Sequence, residues 1–403
     1  MGSTSLDTDA RTVDVDSYLA EMNAISGRTG PQPLFPDSPF AFPMIRRHIT
    51  TDLASVFAGA VGDTNPLWSD EAYGAASCWG TPIGMPLLEA CLSEFSSVPP
   101  PPHPEWVVMS TGGLRRYYEP FRPGDVIRGE DTWHGFTEKA VPGQTGPMLL
   151  GMGERRFINQ HGRVVMALLS RGACLPVPSG PGGEAGGPGL SAAPRRYAPE
   201  ELAAIRADYE RELSGAARRG AQPRYWEDVQ VGEPVPGNLK GPYDLSDSVS
   251  FAGAVGLNLA FAVNHRELSR KVPGAPLDPR TGAPRHPVET HFDDQLAQAR
   301  GFARPPAFGT QLESVQLHAV TNWMSDEGFV TEADVRLVRP LLMGEASAVT
   351  GKVAGKRREG GRCLADLRMI AKTLDGVPYA RGRVVVDLPS RDGYSPAARG
   401  TEN

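Results

Sequence analysis

Two stretches of this sequence carry residues able to move protons. The first, GDTNPLWSDEAYGAASCWGTPIG at 62–84, contains Asp63, Asn65, Trp68 and Asp70. The second, RHPVETHFDDQLAQARGF at 285–302, contains His286, Glu289, His291, Asp293 and Asp294. A histidine and a carboxylate held together serve as general acid and base, provided partial desolvation brings their pKa values toward working pH. Trp-Ser-Asp at 68–70 and His-Phe-Asp at 291–293 read as the same pattern, with tryptophan standing where the second copy has histidine. Tryptophan cannot transfer a proton, so His291 is the acid/base candidate. Each residue also has a plainer use. His291 would cap the helix begun by DDQLAQA, and His286 would lie exposed in a loop before Pro287. Asp63 would hold loop N–H groups, and Asn65 and Pro66 would shape that loop. Asp70 and Asp293 would cap the short helices that follow.

Other chemistries lack their signatures. No cluster has metal-ligand spacing, so no metal is expected. There is no Gly-x-Ser-x-Gly elbow and no dinucleotide fingerprint after a strand. A net charge of −6 gives no electrostatic footprint for nucleic acid or an anionic membrane. The four cysteines, Cys78, Cys91, Cys174 and Cys363, are too few and too scattered for a disulfide scaffold or a zinc knuckle. The acidic start MGSTSLDTDARTVDVD is unlike a signal peptide, and no apolar run reaches the ~18 residues of a membrane span. A cytoplasmic protein is expected.

The elements that must position these residues come in two sets. FAGAVG occurs at 57–62 and again at 251–256, each copy within a capped helix. Each half then has a small-residue turn entering an apolar helix, at 80–95 and at 301–324. In the second, Leu312, Val315, Leu317, Val320 and Trp323 fall close to helical period. Antiparallel strands follow in both halves, rich in Val, Ile, Leu and Thr with polar alternation. Hydrophobic residues at 40% suffice for two buried cores. The reading is α+β: two fused modules, each a long central helix wrapped by a curved antiparallel sheet. Boundaries are expected at 1–39 for an N-terminal extension, 40–175 for module 1, 176–222 for a Pro/Gly linker and amphipathic helix, 223–389 for module 2 and 390–403 for a tail. In the linker helix, Leu202, Ile205, Tyr209 and Leu213 form one stripe, expected to pack and to carry no chemistry. The histidines 48, 103, 134, 161 and 265 show no partner pattern, and His318 and Asn322 suit core or interface roles.

The 62–84 segment resembles the hydratase motif of the MaoC-like acyl-thioester dehydratases and hydratases, Asp-x-Asn-Pro-x-His-x-Asp. Asp63, Asn65, Pro66 and Asp70 match it, and RPGD at 122–125 is also typical of that family. The resemblance covers roughly 40–175 and 223–389 and implies a double hotdog fold. It implies hydration or dehydration of a 3-hydroxyacyl or 2-enoyl thioester, with an Asp–His pair activating water and a helix N-terminus polarising the thioester carbonyl. Coenzyme A or phosphopantetheine would be part of the substrate, and no separate cofactor is implied. The departures are Trp68 at the histidine and, in the second half, Leu257 after the repeat in place of an Asp. His286, five residues before His291, then takes the place of the family's Asp.

Three readings stay open: His291 with His286 or a nearby acid, Asp63 cooperating with His291 across the halves, or lost water chemistry. The last leaves a silent thioester-binding protein or a hotdog cyclase or isomerase. Gly84 and Gly309 head the two expected central helices, and Gly309 is the favoured oxyanion donor because it shares a half with His291. Asn65 and Trp68 are taken as substrate-side residues. An acyl carrier protein is a possible partner, nucleic acid and membrane are not, and a monomer or a homodimer of double modules would satisfy the pairing of hotdogs.

Overall fold

The computed structural model describes residues 14–31, 33–36, 38, 46–93, 98–103, 106–140, 146–176, 193–257, 277–278 and 280–401. His265 lies outside them, as does most of the Pro/Gly linker, at 177–192.

The FAGAVG copies close two matching helices, α2 (Thr51–Val61) and α5 (Leu245–Val255). Thr50 and Asp244 cap their N-termini by accepting N–H groups from the first turn. Gly62 (φ 75°) and Gly256 (φ 67°) end them in the left-handed conformation that glycine adopts without a Cβ penalty. Phe57 and Phe251, the first residues of the repeats, meet in the core with ring centroids 6.2 Å apart.

Among the described residues, eleven strands form one sheet. Module 1 supplies β2 (Trp106–Tyr117), β3 (Arg128–Lys139), β4 (Met148–Ile158) and β5 (Val164–Pro176). Module 2 supplies β8 (Phe329–Leu337), β9 (Ser347–Glu359), β10 (Arg362–Thr373) and β11 (Pro378–Asp387). The order β3-β4-β5-β2 is mirrored by β8-β11-β10-β9, so the lead strands β2 and β8 pair with each other at the centre. Short strands complete the edges: β1 (Thr29–Pro31) on β3, and β6 (Pro234–Val235) and β7 (Leu239–Lys240) on β9. The helix α1 (Val15–Ala24) packs beside β3 and buries Tyr18. Both expected Gly-acid turns form alike: Asp125 and Glu345 each accept the N–H of the residue three earlier, at 2.8 Å.

The two halves differ in their centres. Module 2 has the expected long helix, α7 (Gly309–Met324), preceded by the short α6 (Asp294–Ala299). It is buried on every side, carrying Glu313, Gln316 and His318 into the interior along with its apolar residues. The expected counterpart at 80–95 is not a long helix. Within the described residues there is only a single 3-10 turn, Leu88–Cys91. Pro82 and Pro86 remove N–H donors and restrict the residues before them, and Leu87 adopts φ 72°. The apolar residues from Ile83 to Leu92 still enter the core, as a compact loop.

The linker helix α4 (Pro199–Leu213) also departs from expectation. Only Ile205 of its apolar stripe is buried, while Leu202, Tyr209 and Leu213 are exposed. Its other buried residue is Glu212. Three of the four cysteines are buried, and Cys78 is exposed. No described helix is long and apolar enough to cross a membrane.

Candidate active site

His291 closes a five-residue 3-10 turn, Pro287–His291, and α3 (Glu71–Ala76) and α6 follow their motifs in the same way. Asp70 and Asp293 cap these two short helices, as their plainer reading expects. The His291 ring stacks on Phe308, centroids 4.0 Å apart and planes 24° apart. Phe308 is the residue before Gly309, so this stacking sets the imidazole against the start of α7. The ring's Nδ1 lies 2.8 Å from the carbonyl oxygen of Pro306. A carbonyl only accepts, so Nδ1 carries the proton and Nε2 keeps its lone pair. Burial holds the imidazole pKa down to about 4, with the Pro306 bond opposing the shift. At neutral pH His291 is an uncharged base.

His291 and Gly309 line one cavity of about 530 Å³. It lies between the modules: Val107 to Thr111 of β2 form one wall, and Pro287, Val288, Thr290 and His291 with Pro306 to Thr310 form the other. The N-cap residue Phe308 offers no side-chain acceptor, which leaves the first-turn N–H groups of a sixteen-residue helix uncapped. Gly309 is required there, because a Cβ would sit 2.9 Å from Leu337 Cδ1 and 3.3 Å from Ser110 Cβ. Thr290 Oγ1 is buried without a hydrogen-bond partner among the described residues and also lines the cavity. No Asp or Glu lines it among the described residues, whereas Lys139, Arg300 and Arg339 do.

A second cavity of about 110 Å³ shares Val108, Met109, Ser110, Ala173 and Thr310 with the first. It runs into module 1 past Gly151, Gly153 and Gly172, with Trp133 and Phe136 beside it. This space opens beside the sheet of the module that lacks a long helix.

The other expected site residues lie elsewhere. His286 is not among the described residues that line the His291 cavity. Its Nδ1 accepts the Val288 N–H at 3.1 Å, which is the capping contact Asn65 makes to Leu67 in the first motif. His286 therefore corresponds in space to Asn65, and the second motif has a longer 3-10 turn between cap and histidine. Glu289 and Asp293 form ion pairs with Arg285. Asp63 does not line the His291 cavity; it accepts the Asn65 N–H and faces Thr321 and His318 of α7. Asn65 donates to Asp326 at 2.8 Å, which ties the first motif to the end of α7 rather than to a substrate. Trp68 is fully buried in the core, where its bulk occupies space instead of lining the cavity. Gly84 heads no helix and packs against Leu88 and Phe121.

Sequence reasoning missed Glu212, Ser110 and the basic residues of the cavity wall. Glu212 lies 3.1 Å from His318 Nε2, and Asp63 lies 3.9 Å from it. These three groups come within metal-ligand reach of one another. Lys240, whose Nζ donates to the Val61 and Gly62 carbonyls, is close enough to feel the charges of Glu212 and Asp63. Only folding joins these residues, and their spacing carries no signal.

Residues 40–168 match the family model described as the FAS1-like dehydratase domain region. Among solved structures, a MaoC-like dehydratase superposes with a TM-score of 0.58 at 15% identity, over 92% of this chain and 99% of that one. A MaoC domain dehydratase from Chloroflexus aurantiacus J-10-fl gives 0.55 at 15% identity, over 91% and 96%. A Mycobacterium tuberculosis protein described as having a double hotdog fold gives 0.52 at 14% identity, over 90% and 96%. No curated protein matches the chain. The architecture is the double hotdog.

Proposed function

We propose that this double-hotdog chain is MaoC-like in function as well as in fold, and that it hydrates 2-enoyl thioesters or dehydrates 3-hydroxyacyl thioesters at the His291 cavity. The observation that carries this reading is the shared cavity of a neutral, partly buried imidazole and an uncapped helix N-terminus.

In the dehydration direction, His291 Nε2 takes the α-proton of the 3-hydroxyacyl thioester. The charge that builds on the thioester oxygen is met by the Gly309 N–H at the positive end of the α7 dipole. The imidazolium then returns that proton to the departing β-hydroxyl. The C–O bond breaks, the C=C bond forms, and water leaves. Hydration is the reverse. One base serves both transfers, in keeping with the absence of an acid among the described residues that line the cavity.

The cavity also suggests the kind of substrate. The smaller chamber, walled by Val108, Trp133, Phe136 and glycines, suits the acyl chain. Lys139, Arg300 and Arg339 suit a phosphate-bearing carrier such as coenzyme A or phosphopantetheine. Among the described residues no carboxylate pairs with Arg300, and burial lowers its pKa. Arg339 pairs with Glu345 through Nη2, leaving Nε and Nη1 buried and unpartnered.

The test is turnover of a series of 3-hydroxyacyl and 2-enoyl thioesters, with loss of water read by mass. A reaction that leaves the mass unchanged would favour the second reading, isomerisation or cyclisation, which a single base beside an oxyanion site also supports. Saturable binding without turnover would leave a thioester-binding protein.

A further inference from the structure

The wall of the cavity facing Gly309 belongs to the other module, and its nearest side chain is Ser110. We propose that the Ser110 hydroxyl is a second hydrogen-bond donor to the thioester oxygen, so that the oxyanion site is assembled across the two modules. This rests on the thioester reading above.

Three observations place Ser110 in that role. First, its Oγ lies 3.5 Å from where a Gly309 Cβ would be, beside the first N–H of α7. A carbonyl oxygen meeting the Gly309 amide therefore has a hydroxyl within reach on its other side. Second, Ser110 Oγ accepts the Gly112 N–H at 3.2 Å, which fixes the oxygen and leaves its proton to donate. Third, Ser110 lines both cavities, at the junction where a thioester sits if its acyl chain enters module 1 and its carrier remains by the basic residues.

The backbone shows how the serine comes to face the cavity. The pairing of β2 with β5 slips between Ser110 and Gly113, a bulge that leaves Thr111 and Gly112 out of register. Gly112 takes φ 97°, and a Cβ on it would fall 2.1 Å from the Val335 carbonyl oxygen. Only glycine satisfies both demands. Bulges of this kind re-aim a neighbouring side chain and are frequent beside active sites. Here the bulge sits one residue from Ser110, on the strand that joins the modules. An oxyanion held by two donors instead of one is better matched to the charge of the transition state than to the neutral ground state.

The experiment uses the full chain and hexa-2,4-dienoyl-coenzyme A, whose absorbance moves to longer wavelength when its carbonyl is polarised. The wild-type protein should shift this absorbance, and Ser110→Ala should bind the probe with about half the shift. On the turned-over substrate, kcat should fall on the order of a hundredfold with little change in KM, the usual size for one lost oxyanion donor. Ser110→Thr, which keeps a hydroxyl, should recover the shift, and the isosteric Ser110→Val should not. That pair separates loss of the donor from loss of the fold. A full shift in Ser110→Val overturns the inference while leaving the thioester reading intact. A wild-type protein that binds no acyl thioester overturns the reading itself, and this inference with it.

Discussion

His318, at the middle of the buried helix α7, sets its Nε2 3.1 Å from a carboxylate oxygen of Glu212 on the linker helix. The contact fastens the segment between the modules to the core of the second. Thr64 and Asn322 also donate to Glu212, and together these contacts hold its carboxyl well below the usual carboxylate range against the opposing effect of burial.

Removing one side of this network strands the other. Glu212→Ala leaves His318, Asn322 and the Thr64 N–H without their acceptor, at a cost of about 3–5 kcal/mol, the range for a broken buried pair. Urea unfolding measures it. The double variant with His318→Ala should lose less than the sum of the two single changes, since both remove the same contact.

His291 should control turnover and acid sensitivity together. His291→Ala should slow turnover at least about a hundredfold. The wild-type rate should rise with pH through about 4 and show no limb at the ordinary histidine value near 6.5. The stability sign follows from the same shift. The unfolded chain binds this proton below about 6.5 and the folded chain only below about 4, so stability falls as pH falls through that window. The loss is about 3 kcal/mol for one such group, and His291→Gln should lack it in pH-dependent unfolding.

The seam between the modules should be intolerant at one position. Gly112→Ala puts a Cβ into the Val335 carbonyl and a side chain at φ 97°, so β2 and β8 must separate locally. We expect a loss of more than about 2 kcal/mol, within the range for strain at a special backbone position. Thermal unfolding checks it, with Gly124→Ala as a comparison, since that position also has positive φ but open space around it.

The basic wall should read the carrier. Lys139→Met and Arg300→Met should raise KM several-fold for coenzyme A thioesters while leaving kcat nearly unchanged, because these groups act on the part of the substrate that does not react. The wild-type KM should rise with salt, and that dependence should weaken in the variants. Equal KM values for coenzyme A and bare pantetheine thioesters in the wild type would oppose a phosphate role for the wall.

How much of this was readable depended on the range of the interactions involved. The FAGAVG helices, their glycine C-caps and the strands of both modules follow from local geometry: left-handed caps need glycine, and a half-buried strand alternates. The 80–95 segment is apolar enough to suggest a helix like that of 301–324, but Pro82, Pro86 and the left-handed Leu87 interrupt it. His286 misled because counting five residues back from His291 assumes two motif turns of equal length, and the structure makes the second turn longer.

The sequence by itself determined that there are two related modules and that the first motif carries Trp68 where the second carries His291, and it pointed to His291 and Gly309, which the fold brings to one cavity. Tertiary structure alone decided their surroundings. It stacked His291 on Phe308, set Ser110 of one module beside Gly309 of the other, and turned Asp63 toward His318 and Thr321 of α7. Hydrogen bonds and ion pairs act over a few ångströms in space, and only the folded sheet brings residues so distant in the chain within that range.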